Sequence, residues 1–322
     1  MHIPDGFLDT KTAVTTGVLS VAGLGAALRH TGRHVRSRQI PMIGLTAAFV
    51  FVAQMINFPV AGGTSGHLLG ATLAVVLLGP SAAVIVMSCV LIIQALIFAD
   101  GGVLALGANV FNMALVAPVA AYFVYRLMRR VLKDRRGQLV AASAAAWCSV
   151  VVASVACAGE LALSGTVAWN LALPAMAGIH SLIGIGEALI TMLVLAAIGR
   201  TRPELVNETG NQIGSRERKA VYVYAAAVIV GLLILVVPFA STLPDGLERV
   251  ARTFGFEYRA NVPASFSTPL KEYSVPGMES LGGASTVAGL VGAVVVFGFS
   301  FLVARLLVPK DRQETGTLPH QT

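Results

Sequence analysis

The chain has 322 residues, of which 56% are hydrophobic and only 12% are charged, and its mean hydropathy is +0.77. A soluble domain usually carries about twice that charged fraction, so the composition excludes an ordinary soluble protein and predicts repeated membrane spans. The net charge of +7 does not indicate a nucleic-acid-binding domain, because the basic residues lie in short connections between apolar segments. We therefore expect membrane lipid around the chain and no nucleic-acid partner.

The N-terminus is a polar, turn-rich segment, Met1-His2-Ile3-Pro4-Asp5-Gly6-Phe7-Leu8. A signal peptide would have a basic start, an apolar run and a cleavage site, so we expect the mature chain to keep Met1. The terminal amine, the backbone nitrogen of His2 and its ring can close adjacent chelate rings on one metal ion. A planar nitrogen set favours nickel(II) or copper(II) over zinc(II). The alternative is an ordinary external tail in which His2 binds nothing.

Nine helical spans are predicted, so the expected fold class is an all-α membrane protein, with a seven-helix bundle followed by two C-terminal spans. The third span is too short to cross a bilayer of about 30 Å, and the chain before it, from Phe58 to Gly66, is predicted to be non-helical. In chain order the predicted spans are residues 11–29, 40–57, 67–79, 81–98, 103–127, 138–162, 176–199, 220–240 and 285–308.

The basic residues also predict the orientation. Most of the 23 lysines and arginines, including the run from Arg126 to Arg136, fall on the cytoplasmic side if the N-terminus is outside and the C-terminus is inside. The expected parts are a metal-binding membrane domain, a cytoplasmic linker, two spans that bracket an external segment at about 241–284, and a cytoplasmic tail. Their ranges are 1–200, 201–219, 220–310 and 311–322.

A glycine-rich stretch, Ala61 to His67, precedes the short third span. Gly62 and Gly63 allow backbone to approach a ligand closely, and Thr64 and Ser65 add polar groups next to His67. Polar groups at membrane depth are candidates for function. The alternative is a packed, hydrogen-bonded histidine where the third helix begins.

Two further polar groups lie within predicted spans. His180 and Glu187 are two turns apart, and a buried carboxylate of this kind needs a partner or a cavity. It either orients a metal-binding histidine or forms a structural pair between helices. Asn109 and Asn112 are typical of hydrogen bonds between helices.

These motifs together resemble the CbiM/NikM family, the substrate-capture (S) components of energy-coupling factor transporters for cobalt and nickel. Residues 241–248, which contain Pro-Asp-Gly-Leu-Glu, are similar to the NikN-type accessory subunits, and Tyr273 to Gly277 belongs to the same pattern. The chain thus resembles a fused NikM–NikN protein. The four stretches that resemble CbiM/NikM signatures are 1–8, 58–70, 106–113 and 180–187.

The resemblance implies import of nickel(II) or cobalt(II) as a substrate, without enzymatic activity or a tightly bound catalytic cofactor. It implies that the metal is held by the Met1 amine, by the backbone nitrogen and ring of His2, and by the ring of His67. Supporting roles are implied for Asn109, Asn112, His180 and Glu187.

The implied partners are a transmembrane coupling (T) subunit similar to CbiQ/NikQ and cytoplasmic ATPases similar to CbiO/NikO, in a bacterial or archaeal cytoplasmic membrane. Separate ATPases are needed because the chain contains no GxxxxGK[ST] phosphate loop. The NikN-like part favours nickel by analogy. The alternative function is a self-sufficient secondary metal-ion transporter or channel, with His180 and Glu187 in a proton-coupled path. An intramembrane metalloenzyme is disfavoured because no HExxH motif occurs.

Overall fold

Long apolar helices dominate the computed structural model, which describes residues 1–202, 215–260, 268–278 and 283–308. The predicted tail, 311–322, and most of the predicted linker, 203–214, lie outside the described residues. The helices are α1 Thr10–His34, α2 Ile40–Met55, α3 Ala71–Leu78, α4 Pro80–Ile93, α5 Leu106–Asn109, α6 Ala117–Val131, α7 Arg135–Leu163, α8 Trp169–Thr201, α9 Ser215–Leu235, α10 Gly246–Phe254 and α11 Ala284–Leu307.

All nine predicted segments contain helix, and seven of the described helical segments are long and apolar enough to cross a membrane. The other two are shorter. Helix α2 has 16 residues, and α3 has eight, which span only about 12 Å at 1.5 Å per residue. The helical character of the prediction is therefore confirmed, while the number of crossings and their orientation stay predictions.

Two π-helical turns interrupt the helices near the N-terminal tail. Helix α4 continues into the turn Gln94–Phe98, and the turn Val110–Val116 joins α5 to α6. Such turns displace side chains from the regular helical positions and are frequent at functional sites. Here they carry Gln94 and Asn112, while Asn109 ends α5.

The last helix belongs to the same packed core as the first ones. Helix α11 lies along α2, and small residues allow the close approach. A Cβ atom at Gly44 would lie 2.9 Å from the Phe297 ring, and one at Gly292 would lie 2.3 Å from the Phe51 ring. The C-terminal region therefore packs into the bundle.

A β-hairpin, β1 Phe58–Val60 and β2 Thr64–Gly66, occupies the segment predicted to be non-helical. The prediction that His67 begins the third helix is wrong, because α3 begins at Ala71. Two features keep the residues before Ala71 out of the helix. Gly70 has a left-handed φ of +79°, and the Glu187 carboxylate accepts the backbone N–H groups of Leu69 and Gly70, which holds this stretch outside the helix.

The predicted start of the seventh span, residue 176, is also wrong, because α8 begins at Trp169 and contains Pro174. Proline favours a helix boundary since it lacks an N–H donor. Pro174 lies in the second turn, where it removes one backbone hydrogen bond and crowds the carbonyl four residues earlier, but the apolar sequence on both sides continues the helix.

Candidate metal centre

The N-terminal tail folds back into the bundle, with Ile3 fully buried. Asn109 binds both backbone groups of Ile3: the Ile3 N–H donates to its Oδ1 at 2.8 Å, and its Nδ2 donates to the Ile3 carbonyl at 3.0 Å. Gly102 N also donates to that carbonyl at 2.8 Å. Asn109 thus pairs with the tail as a neighbouring strand would, and fixes the chain immediately after His2.

A second anchor lies at Asp5. Its Oδ1 accepts the backbone N–H groups of Leu104 and Ala105 at 2.8 and 3.2 Å, just before α5. A side chain at Gly102 would collide with this carboxylate, since a Cβ there would lie 2.0 Å from Oδ1. Gly6 then turns the chain with a φ of +91°. The Pro-Asp-Gly sequence therefore docks the tail.

The docked tail brings the terminal amine to His67, 66 residues away in sequence. Met1 N lies 3.1 Å from His67 Nε2. His67 Nδ1 lies 3.2 Å from the Leu68 carbonyl, which can only accept, so Nδ1 carries the proton and the Nε2 lone pair faces the amine. Metal–nitrogen bonds of about 2.0 Å separate neighbouring corners of a planar site by about 2.8 Å. The two nitrogens are therefore spaced nearly as adjacent ligands.

The amine also forms a buried ion pair with Asp245. Met1 N lies 2.7 Å from Asp245 Oδ2, and the two side chains are only 5% and 17% exposed. Burial acts to raise the pKa of Asp245, but the charge and hydrogen bond of the amine outweigh it and hold the pKa below its ordinary value. A negative charge thus lies against one proposed metal ligand.

Both histidines are held in their neutral forms. Burial lowers the pKa of His67 to about 3, and the positive amine adds to this effect. Burial also lowers the pKa of His2, against the opposing influence of Asp100. Neutral imidazole is the form that binds a metal ion.

The ring of His2 stacks on that of His67, with centroids 5.3 Å apart, but its nitrogens point elsewhere. Nδ1 lies 3.1 Å from Asp100 Oδ1, and Nε2 lies 3.2 Å from Gln94 Oε1. Asp100 in turn accepts a hydrogen bond of 2.6 Å from the Tyr273 hydroxyl. The His2 ring must therefore leave Asp100 before Nδ1 can join the amine in a chelate.

The segment around Asp245 is tied to the hairpin through backbone carbonyls. The Pro244 carbonyl accepts Ser65 N at 2.8 Å and Thr64 Oγ1 at 2.9 Å, and Ser65 Oγ donates to the Leu243 carbonyl at 2.7 Å. Thr64 and Ser65 thus fix the position of β2, and with it His67. Gly62 and Gly63, with φ of +81° and +69°, form the exposed tip of the hairpin, where a Cβ atom on either residue would meet nothing within 4 Å.

Among the described residues, no hydrogen bond joins His180 to Glu187. Glu187 binds the backbone that follows His67, as described above. The His180 Nδ1–H donates to the Met176 carbonyl at 2.8 Å, and its buried Nε2 has no hydrogen-bond partner among the described residues. The His180 ring borders a cavity of about 20 Å³ that Met1, His67 and Asp245 also line. That volume is large enough for one water molecule.

The Asn112 side chain binds helix α7. Its Nδ2 donates to Glu160 Oε2 on α7 at 2.6 Å. The other oxygens of the pair, Asn112 Oδ1 and Glu160 Oε1, have no partner in the described structure. Asn112 therefore belongs to an interhelical polar pair.

A larger cavity, of about 460 Å³, shares His67 and Asp245 with the smaller one. His2, His67, Asp100, Asp245, Glu248 and Tyr273 are among its lining residues. Among the described residues, no group of three or more His, Cys, Asp or Glu side chains is arranged to hold a metal ion. A metal site here therefore needs main-chain or terminal nitrogens.

Known proteins resemble this chain over nearly its whole length. Residues 2–205 match the family described as CbiM, "Cobalt uptake substrate-specific transmembrane region", and residues 217–309 match the "PDGLE domain". The chain belongs to the CbiM family. In it, a CbiM region is fused to a NikN-like PDGLE domain.

Two curated relatives have the same fused organisation. The "Putative fused nickel transport protein NikMN" of Archaeoglobus fulgidus is 36% identical over 95% of this chain and 98% of its own length. The "Probable fused nickel transport protein LarMN" of Lactiplantibacillus plantarum is 30% identical over 99% of this chain and all of its own. A solved structure, a "Truncated Transition metal Transporter", is 37% identical, with a TM-score of 0.57 over 62% of this chain and 99% of that one.

The interpretation of the sequence did not include several polar residues at the centre of this CbiM-family chain. The sequence places Asp245 in the Pro-Asp-Gly-Leu-Glu motif without marking it as a site residue, although its Asp-x-x-Glu spacing is a helix-capping signature. Asp100 follows the fourth predicted span beside two glycines, a weak signal at most. Nothing local marks Tyr273 as a partner of Asp100. Glu160 is an acid within a predicted span, and that position alone marks it as a candidate.

Proposed function

We propose that this chain is the substrate-capture subunit of an energy-coupling factor importer for nickel(II) or cobalt(II). The observation that carries the proposal is the buried contact of 3.1 Å between the Met1 amine and His67 Nε2, two nitrogens from distant parts of the sequence. Their spacing and the free lone pair on His67 suit adjacent metal ligands. The names of the fused relatives, which are nickel transport proteins, support the same cargo.

The proposed ligands are the Met1 amine, the backbone nitrogen and ring of His2, and the ring of His67. Four nitrogens in a plane favour nickel(II) and disfavour the tetrahedral preference of zinc(II). Binding is completed when the His2 ring turns from Asp100 towards the amine. Asn109 supports the site by fixing Ile3, and Glu187 supports it by fixing the backbone after His67.

The ion enters through the larger cavity, which we place on the external side together with the N-terminus. Release inward requires energy from partners, and we propose a CbiQ/NikQ-like coupling subunit and CbiO/NikO-like ATPases in a bacterial or archaeal cytoplasmic membrane. The chain itself transports and does not catalyse. Its parts are the membrane domain 1–200, the linker 201–219, the NikN-like region 220–310 and the tail 311–322.

Of the two metals, we propose nickel as the preferred substrate, because both fused relatives described above are named nickel transport proteins. The alternative of a proton path through His180 and Glu187 gains no specific support. Both Glu187 oxygens are bound by backbone N–H groups, and His180 donates to a backbone carbonyl of its own helix.

The test is nickel binding to the purified full chain after His2→Ala. The change removes the proposed ring ligand and keeps the amine, so nickel affinity should fall by more than about 100-fold. His34→Ala, in the exposed stacked pair with His30 near the C-terminal end of α1, is the matched control and should leave binding intact. Equal affinity in the two variants would overturn the site.

A further inference from the structure

We propose that Asp245 of the PDGLE domain is a positioning and charge-balancing residue of the metal centre, so that the fused C-terminal domain completes a site built by the CbiM region. This inference rests on the proposed function. It assigns a specific task to the domain whose contribution the sequence leaves open.

Asp245 is fixed in place by the helix that it caps. It is the N-cap of α10: its Oδ1 accepts Glu248 N at 2.8 Å, and its own N–H donates to Glu248 Oε2 at 3.1 Å. This reciprocal capping box holds one carboxylate oxygen. The other oxygen, Oδ2, remains free to bind the Met1 amine at 2.7 Å.

The backbone around Asp245 is also hydrogen-bonded to the hairpin that precedes His67. The Pro244 carbonyl binds the backbone and side chain of β2 through Ser65 and Thr64. On the other side, Gly246 packs so closely on His180 that a Cβ would lie 2.7 Å from its ring. Pro244, Asp245 and Gly246 therefore hold a carboxylate, the amine and His67 in one arrangement.

The proposed site with its metal ion bound would carry a net positive charge. Two neutral imidazoles and an amine bring no negative charge, and a deprotonated backbone nitrogen brings one. A bound dication therefore keeps a net positive charge in a region where Met1 is only 5% exposed. Buried charge is costly unless a counter-charge lies close by. Asp245 is the carboxylate in contact with the amine in the described structure.

A purely structural role predicts something different. If Asp245 only tied α10 to the bundle, its loss would lower thermal stability and leave the nickel affinity and spectrum of the folded protein unchanged. The two roles separate because the capping function can be kept while the charge is removed.

The experiment compares Asp245→Asn with Asp134→Asn in the full-length protein. Asparagine is as good an N-cap as aspartate but has no charge. Asp134 is the exposed N-cap of α7, where its side chain accepts from Gly137 N at 3.0 Å, so the control makes the same change at another helix cap. We expect Asp245→Asn to weaken nickel binding about 10- to 100-fold and to alter the visible spectrum of bound nickel. Asp134→Asn should change the affinity less than about threefold.

A second measurement needs no metal. The rate at which an amine-reactive reagent labels the Met1 amine should rise in Asp245→Asn and remain at the wild-type rate in Asp134→Asn. If Asp245→Asn does not fold, Asp245→Ser replaces it, because serine also caps the helix but is too short to reach the amine. A folded, charge-free variant with wild-type nickel affinity overturns the proposal.

The labelling also separates this inference from the proposed function. If the wild-type chain binds no nickel, the function is wrong and the role of Asp245 at a metal centre falls with it, while faster labelling of Asp245→Asn still shows the contact with Met1. If wild type binds nickel and the variant binds equally, the function stands and Asp245 is structural.

Discussion

The two sides of the candidate centre are held in different ways. On the amine side, Met1 N already lies within 3.1 Å of His67 Nε2, with Asp245 as its counter-ion. On the ring side, both nitrogens of His2 bind other groups, Asp100 and Gln94. The amine side is spaced for a metal ion, and the ring side is occupied by protein contacts.

In the proposed mechanism, this difference sets the order of loading. An ion that reaches the amine and His67 would find two donors in position, and the His2 ring would follow after it leaves Asp100. The C-terminal region contacts both sides, through Asp245 at the amine and through the Tyr273 hydroxyl at Asp100.

The largest expected effect is that of pH. The amine and the His2 backbone nitrogen must each lose a proton to bind the metal, whereas burial lowers the pKa of His2 and holds that of His67 at about 3. Because a lowered histidine pKa favours the neutral ring, protons do not compete for the His67 ring between pH 7 and 5, and they compete less for the His2 ring than for a free imidazole. The two protons released by the amine and the backbone nitrogen should make the nickel association constant fall by about 100-fold per pH unit, or about 10,000-fold over this range.

Nickel titrations at several pH values measure this slope directly. A slope that steepens below about pH 6.5, the ordinary histidine value, would show that the rings do take up protons in the metal-free protein. The ring side would then contribute to the proton count, and the proposed inequality of the two sides would be lost.

The next effect in size is that of His67→Ala. This change removes a proposed ligand from the amine side, so nickel affinity should fall by more than about 100-fold, beyond what the loss of a supporting residue costs. His30→Ala is the matched control. His30 stacks on His34 near the C-terminal end of α1, away from the tail, and its loss should leave titrations unchanged. Normal binding by His67→Ala would remove this residue from the ligand set.

A smaller effect is expected from Asn109→Ala, which releases the tail that both sides share. Two hydrogen bonds to Ile3 are lost, worth about 2 kcal/mol together, or roughly 30-fold in nickel affinity. Asn112→Ala is the comparison, because Asn112 binds Glu160. It should lower the melting temperature and leave affinity nearly unchanged. Equal losses of affinity would show that tail docking is not specific to Asn109.

How far the sequence predicts this molecule depends on the range of the interactions. The apolar helices were predictable because their length and composition are local properties, and all nine segments contain helix. The start of α3 was not, because Glu187, 118 residues from Leu69, holds the chain before it. A tertiary contact decided a local boundary.

The same distinction applies to the site. The chelating potential of Met1-His2 is local, but its approach to His67 followed from family resemblance, since no spacing relates residues so far apart. Asp245 was visible as a helix cap, whereas its contact with the terminal amine depends on how two distant segments pack. Local chemistry and the family resemblance predict the donors, and the fold places a carboxylate beside one of them.

The smallest expected effect, on the ring side, is that of Asp100→Asn. Its carboxylate binds His2 Nδ1 in the metal-free arrangement and must release it during loading. Asparagine has the shape of aspartate but no charge, so its hydrogen bond to the His2 ring is weaker. A hydrogen bond of about 1 kcal/mol that exists only before binding weakens affinity about fivefold, so nickel should bind up to fivefold more tightly to the variant.

The opposing factor is the loss of a negative charge near the dication. Asp100 is 25% exposed, so solvent screens its charge more strongly than that of Asp245, which is 17% exposed and touches the amine. The hydrogen bond should therefore decide the sign, and titration of Asp100→Asn beside Asp245→Asn measures it. If both variants weaken binding by tenfold or more, Asp100 serves the loaded site as Asp245 does, and the ring side is as much a part of the assembled centre as the amine side.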